Sequence, residues 1–281
     1  MRQNLIHQNV FNFLLKQIDE VMPAMRKRRA QNEHVLYNIL RVLKHGIPWR
    51  ATGSSNGEYA WQTIHRRFTH LVNNEHFFKV WKTVVERYAT RRNNLDKRHF
   101  QNIYIDTTFI KNVGGVDMLG KNSTDRGRKA TKISIVCDED RIILGHIATP
   151  CKSDVKVVET TLDSVPFDLQ KMRKRKATYL IADKAYASYK LSNCLEKRKL
   201  RLVTDRKKRQ RHTNHVCGRQ MAKDKLKRRY IVEHAFGIMK RFKRIPRRED
   251  RKITVYNAFF QLGMIIRMLE RYPEHILDFK R

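Results

Sequence analysis

Three carboxylates stand out in this 281-residue chain because of where they fall. Asp106 lies in the apolar run IYIDTTFI, Asp183 closes TYLIAD, and Glu233 sits among Lys and Arg in LKRRYIVEHAFGIMKRFKRI. Three acids from two strands and a helix form a donor set for two Mg²⁺ ions, because Mg²⁺ prefers carboxylate oxygen, keeps several waters and is completed by substrate phosphate. Such a pair of ions serves phosphodiester chemistry, where negative charge crowds around phosphorus. Glu233 alone would carry no such meaning, since an acid on a basic helix face readily pairs with its neighbours.

At 100° per residue, Ile231, Ala235, Ile238, Met239 and Phe242 share one face of a helix spanning Leu226 to Ile245. Arg229, Glu233 and Lys240 line the opposite face. Upstream, NIYIDTTFIK, TKISIVCD and RIILGHIAT read as three strands. A helix around Asp154 to Leu162, the strand TYLIAD, a helix through Tyr189, Leu191, Cys194 and Leu195, and the strand LRLVT follow. This order implies α/β architecture, a mixed sheet flanked by helices, in which the first and fourth strands can lie side by side in parallel. Asp106 and Asp183 would then face one crevice, within reach of the Glu233 helix. The stretch VGGVDMLGKNSTDRGRKA between the first two strands reads as a mobile surface loop or a DNA-contacting flap.

The first hundred residues have helical periods instead. Ile6, Val10, Leu14, Ile18 and Val21 mark one helix ending near Pro23, and Val35 to Leu43 mark a second, closed by Gly46 and Pro48. Trp61, Ile64, Phe68 and Leu71 define a third. Phe77, Val80, Trp81, Val84 and Tyr88 define a fourth, with Asn74 as its N-cap. His65, Arg66 and Arg67 on the third helix suit a helix-turn-helix reading DNA, with Arg66 and Arg67 as contacts; a helical cap with a basic solvent face fits the same pattern. Trp49, Trp61 and Trp81 are expected in the core. The charged joint TRRNNLDKRHF divides a helical domain, residues 1–95, from a catalytic domain, residues 96–281.

Sixty-one Lys and Arg against twenty-seven Asp and Glu give a formal charge of +34, which favours a polyanionic partner, above all nucleic acid. No long apolar stretch or lipidation signal points to a membrane. Four scattered cysteines form no disulfide framework and fit a reducing compartment. Gln, Asn and Lys interrupt the N-terminal apolar residues, so a signal peptide is not expected. Residues 206–229 hold eleven Lys or Arg and one Asp, a run that holds DNA by charge whether ordered or not. His212, His215 and Cys217 within it lack a fourth ligand at zinc-site spacing.

The order Asp, Asp, Glu on first strand, fourth strand and late helix resembles DDE transposases with a ribonuclease-H-like core. More narrowly, the chain is similar to the insertion-sequence-five family, whose signature Y-(2)-R-(3)-E-(6)-K is matched by Arg229, Glu233 and Lys240, with Leu226 at the Tyr position. NILRVLKHGIPWR, WQTIHRRF, GRKATKISIVCD and LIADKAYAS extend the likeness. Ala185 stands where the family often has Gly, and Ala187 where it often has an acid. The resemblance implies a transposase that cleaves transposon ends and joins their 3′-OH to target DNA, using two Mg²⁺ ions, with Mn²⁺ as substitute, on Asp106, Asp183 and Glu233. It implies that Arg229, Lys240, Arg66, Arg67 and Lys184 contact DNA. It also implies terminal inverted repeats and target DNA as partners, homo-oligomerisation in a synaptic complex, and a cytoplasmic, DNA-associated location, the nucleoid in a bacterium. The alternative is a transposase-derived DNA-binding protein without catalysis.

Overall fold

The structure, a computed structural model, describes residues 5–22, 31–53, 59–94, 100–169, 178–205 and 219–276. His212, His215, Cys217 and the basic run over 206–218 lie outside the described residues. In chain order the elements are α1 (Gln8–Val21), α2 (Asn32–His45), α3 (Trp61–Asn73), α4 (His76–Asn94), β1 (Asn102–Asn112), β2 (Lys129–Asp138), β3 (Ile143–Thr149), α5 (Asp154–Asp163), β4 (Thr178–Ile181), α6 (Tyr189–Lys197), β5 (Leu200–Val203), α7 (Arg219–Lys227), α8 (Tyr230–Met239) and α9 (Ile253–Arg271). Two compact units result: one comprises Met1–Val84, Val113–Asp117 and Met239–Arg281, the other Val85–Asn112 and Met118–Ile238. The division falls inside α4, not at the charged joint near residues 92–100, and it returns α9 to the unit of the N-terminal helices.

In the first unit α1 and α3 pack against α9, which is buried on nearly every side, and α2 packs against α1 and α3. Phe68 stacks on Phe259 at 4.7 Å between ring centroids, and Trp49 packs against both at 5.0 and 6.0 Å. Trp81 is fully buried, whereas Trp61 stays half-buried with its edge toward His65. α2 stops at Gly46, whose φ of 67° suits a residue without Cβ and whose N–H donates to the Val42 carbonyl. Asn74 terminates α3, its side chain donating to the His70 carbonyl at 3.0 Å, rather than capping α4. The α4 start is made instead by the Glu75 carbonyl, which accepts from Lys79 N–H. The Asp117 carboxylate accepts the Ile253 N–H at the start of α9 and pairs with the buried Arg248 guanidinium. The segment expected to be a mobile loop is therefore pinned here by charge-assisted bonds.

The second unit holds the sheet, in the order β3-β2-β1-β4-β5. β1, β2 and β3 run antiparallel in succession, and β4 and β5 add in parallel beside β1. Gly120 and Lys121 pair with Ala130 and Lys129 beyond β3 on the same edge of β2. Asn122 closes the tip between them: its carbonyl accepts Gly127 N–H at 2.9 Å, and its side-chain oxygen accepts Thr124 N–H. β2 reads as a continuous buried run because both of its faces are covered. α5 lies close on β3, where a Cβ on Gly145 would meet Ser164 Oγ at 2.7 Å. Arg92 and Tyr88 of α4 reach the fully buried Asp138 at the end of β2, at 3.2 and 2.6 Å. Burial works against the Arg92 charge, but Asp138, Tyr88 and Asp140 more than offset it and raise its pKa.

Candidate active site

The parallel register of β1 and β4 pairs Tyr104 with Ile181. Asp106, midway along β1, and Asp183, just past the end of β4, each lie two residues further on, which sets them at the same level of the two neighbouring chain segments. Asp183 leaves β4 and caps the short 3-10 turn Lys184–Tyr186, its carboxylate accepting Lys184 N–H at 2.7 Å. Asp106 Oδ1 accepts Thr107 N–H at 2.8 Å. These local bonds fix both carboxylates before any tertiary partner is added.

The basic helix expected to run unbroken from Leu226 to Ile245 is three pieces. Arg228 and Arg229 form a turn between α7 and α8, with Arg229 N–H bonded to Leu226 O at 3.0 Å and Val232 N–H to Arg229 O at 3.2 Å. These i to i−3 bonds tighten the chain and reset the helix phase. α8 buries Ile231, Val232, Ala235, Phe236 and Met239 and leaves Glu233 and His234 exposed. Lys240 falls in the turn after α8, so it does not continue the Glu233 face as a helical neighbour.

Arg229 joins the acids. One guanidinium nitrogen stands 3.5 Å from Asp183 Oδ1 and the other 3.3 Å from Glu233 Oε1. Burial, helped by Asp154 and Asp183, raises the Asp106 carboxyl to about 6 against the pull of the Thr107 N–H and the Arg229 charge. Asp106, Asp183, Glu233 and Arg229 are thus brought into one electrostatic cluster. Among the described residues, no three acidic, His or Cys side chains are grouped tightly enough to hold a metal ion as they stand. The donor types nonetheless fit Mg²⁺: three oxygen ligands, one of them desolvated and short of positive charge.

A fourth acid, expected from the sequence only as the start of a helix, lies beside them. Asp154 at the start of α5 accepts from Thr107 Oγ1 at 2.7 Å and pairs with Lys132 Nζ at 2.5 Å. Tyr186 is buried behind the cluster, its hydroxyl held protonated by burial and by Asp106, Asp154 and Asp183. A Ser-Asp pair opening a helix was visible in the sequence, but its proximity to Asp106 depends on α5 folding back over the sheet. Of the expected DNA contacts, Lys184 and Arg66 are exposed. Arg67 is a correction: it is 5% exposed and donates to Asn32, so it ties α3 to α2 instead of facing outward. Asn32 in turn donates to Asp19 and to the Met22 carbonyl, which explains why a guanidinium is tolerated there.

The chain is 28% identical over 147 residues to a protein of Burkholderia cepacia described as a putative transposase for insertion sequence element IS402. That match covers 51% of this chain and 65% of the relative, less than two thirds of its length. Among solved structures, a piggyBac transposase synaptic complex with hairpin DNA matches at TM-score 0.48 and 11% identity, over 96% of this chain and 66% of that one. The catalytic domain of Mos1 mariner transposase matches at TM-score 0.29 and 11% identity, over 64% of this chain and 92% of that one. Likenesses at these TM-scores carry no weight for this chain. The profile of the family described as Transposase DDE domain matches residues 101–269, more than half of the chain and a span that includes Asp106, Asp183 and Glu233. The chain therefore belongs to the transposase DDE domain family.

Proposed function

We propose that this protein is a DNA transposase of the insertion-sequence-five type, with a ribonuclease-H-like catalytic unit. The observation that carries the reading is the matched level of Asp106 on β1 and Asp183 just past the end of the neighbouring parallel strand β4, with Glu233 tied to Asp183 through Arg229. Asp106, Asp183 and Glu233 would hold divalent cations, Mg²⁺ or Mn²⁺, which supply the positive charge that stabilises attacking and leaving oxygens at phosphorus. Water adds to the phosphorus at the transposon end and the 3′-oxygen leaves as a hydroxyl. That hydroxyl then attacks a phosphorus in target DNA, whose own 3′-oxygen leaves in turn. Lys184, beside Asp183, binds the DNA backbone near the scissile bond, and Lys240 and Arg66 add phosphate contacts. α3 and α4, joined by the two-residue turn Asn74–Glu75, serve as a helix-turn-helix-like DNA-binding region.

The partners on this reading are the terminal inverted repeats and target DNA, and two ends joined together require a homo-oligomeric synaptic complex. The protein works at DNA in the cytoplasm, in the nucleoid if the host is bacterial. Among the described residues no helix is long and apolar enough to cross a membrane.

The test is incubation of purified protein with Mg²⁺ and a labelled duplex carrying the repeat that flanks its own gene. The wild-type protein should expose a 3′-OH and join it to target, while Asp106→Ala, Asp183→Ala and Glu233→Ala should bind the duplex yet lose about a hundred- to a thousandfold in cleavage, as loss of a charge-stabilising group does. End-specific binding without cleavage by the wild type would make the protein a transposase-derived DNA-binding protein instead.

A further inference from the structure

Arg229 sits where its charge is useful twice. Its planar fork spans two carboxylates from different elements, Asp183 after β4 and Glu233 on α8, and its charge also acts on the half-buried Asp106. The Arg229 backbone is fixed by the tight turn before α8, so the long side chain alone decides which partner the guanidinium takes. Its grip is loose. Side-chain exposures are 34% for Arg229, 39% for Asp183 and 54% for Glu233, and ion pairs this open to water are weak and screened by salt. A divalent ion carries twice the charge and binds carboxylate oxygen directly, so it outcompetes such a pair.

We infer that Arg229 is an internal counter-cation of the acid cluster: it neutralises Asp183 and Glu233 in the free protein, is displaced when divalent ions bind them, and then pairs with a DNA phosphate. The inference rests on the proposed assignment of those two acids as metal ligands. It makes metal loading and DNA binding favour each other. Ions free Arg229 for phosphate, phosphate draws Arg229 off the acids, and the two effects are equal by linkage. Without DNA, Arg229 competes for the acids, which disfavours loading of the ions away from substrate.

The experiment is titration of the full-length protein with Mn²⁺ alone, free Mn²⁺ being read by electron paramagnetic resonance, then repeated with a duplex carrying the terminal repeat. Arg229→Gln without DNA should bind Mn²⁺ about three- to tenfold more tightly than wild type, in line with removal of two exposed competing pairs. Arg229→Lys, which keeps the charge but can grip only one carboxylate at a time, should fall between them. Addition of the duplex should tighten Mn²⁺ binding more in wild type than in Arg229→Gln. Mn²⁺ affinity unchanged or weakened in a folded Arg229→Gln protein, while Asp183→Asn and Glu233→Gln lose it, would overturn the counter-cation role and leave the acid site standing. Wild-type Mn²⁺ binding in Asp183→Asn and Glu233→Gln would overturn the acid site itself and this inference with it.

Discussion

Asp106 shows how a residue can be placed at a cost to the free protein. Its carboxyl, raised to about 6 by burial first and by Asp154 and Asp183 next, binds a proton more readily folded than unfolded. A raised carboxyl contributes stability that is full below the unfolded value near 4 and is lost as pH climbs through the folded value. At pH 7.5 the ionised group therefore weighs against the fold, by up to roughly 3 kcal/mol. Asp106→Asn should accordingly raise the melting temperature at pH 7.5 and leave it nearly unchanged at pH 4, measured by thermal unfolding without divalent ions. A variant equally or less stable at pH 7.5 would mean that Arg229 and the Thr107 N–H already compensate the charge. The same shift predicts that Mn²⁺ binding to the metal-free protein weakens as pH falls through about 6, measured by titration at fixed ionic strength, because a proton then competes with the cation for Asp106.

At the scale of elements, the acids are placed by pieces that are each fastened at one end. β2 ends at Asp138, and α4 is anchored there by Arg92 and Tyr88, with Asp138 also accepting the Ile142 N–H at 2.9 Å. Removal of the guanidinium leaves a fully buried carboxylate short of its cation, so Arg92→Ala should cost about 3–5 kcal/mol in denaturant unfolding. A loss below about 1 kcal/mol would show that Tyr88 and the backbone N–H groups suffice. The Glu233 helix is set differently. The tight turn at Arg228 and Arg229 separates it from α7, so the phase of α8 is fixed by its own apolar face, through Val232, Ala235 and Met239.

Over the whole molecule, the formal +34 sets the character of DNA binding. Exposed cations such as Arg66, Lys184, Lys240, Arg126 and Arg128 are spread along the chain. Binding should therefore be dominated by counterion release. For six to ten phosphates neutralised, affinity for any duplex should fall about 10³- to 10⁵-fold between 50 and 200 mM salt, whatever the sequence. A slope equivalent to one or two phosphates, read from fluorescence anisotropy, would show that the charge serves solubility and not DNA. Preference for the terminal repeat should ride on top of that slope as a constant offset.

The sequence by itself determined most of the elements, though not the break at Arg228 and Arg229 or the end of α8 at Met239. The strands around Asp106 and before Asp183, the helix carrying Glu233, the stop of α2 at Gly46 and the three acids were legible because alternation, helical period and glycine act within a few residues. Tertiary structure decided the rest, since it depends on residues far apart in the chain. Arg67 looked like a surface cation until Asn32 gave it a buried partner, and Asp154 joined the acids only when α5 folded over the sheet. α9 read as a packing helix, yet its place with the N-terminal helices is a matter of long-range aromatic contacts such as Phe68 on Phe259. The bridge from Arg229 to Asp183 and Glu233 combines a local turn with a strand end forty-six residues upstream, and only the folded chain brings those charges together.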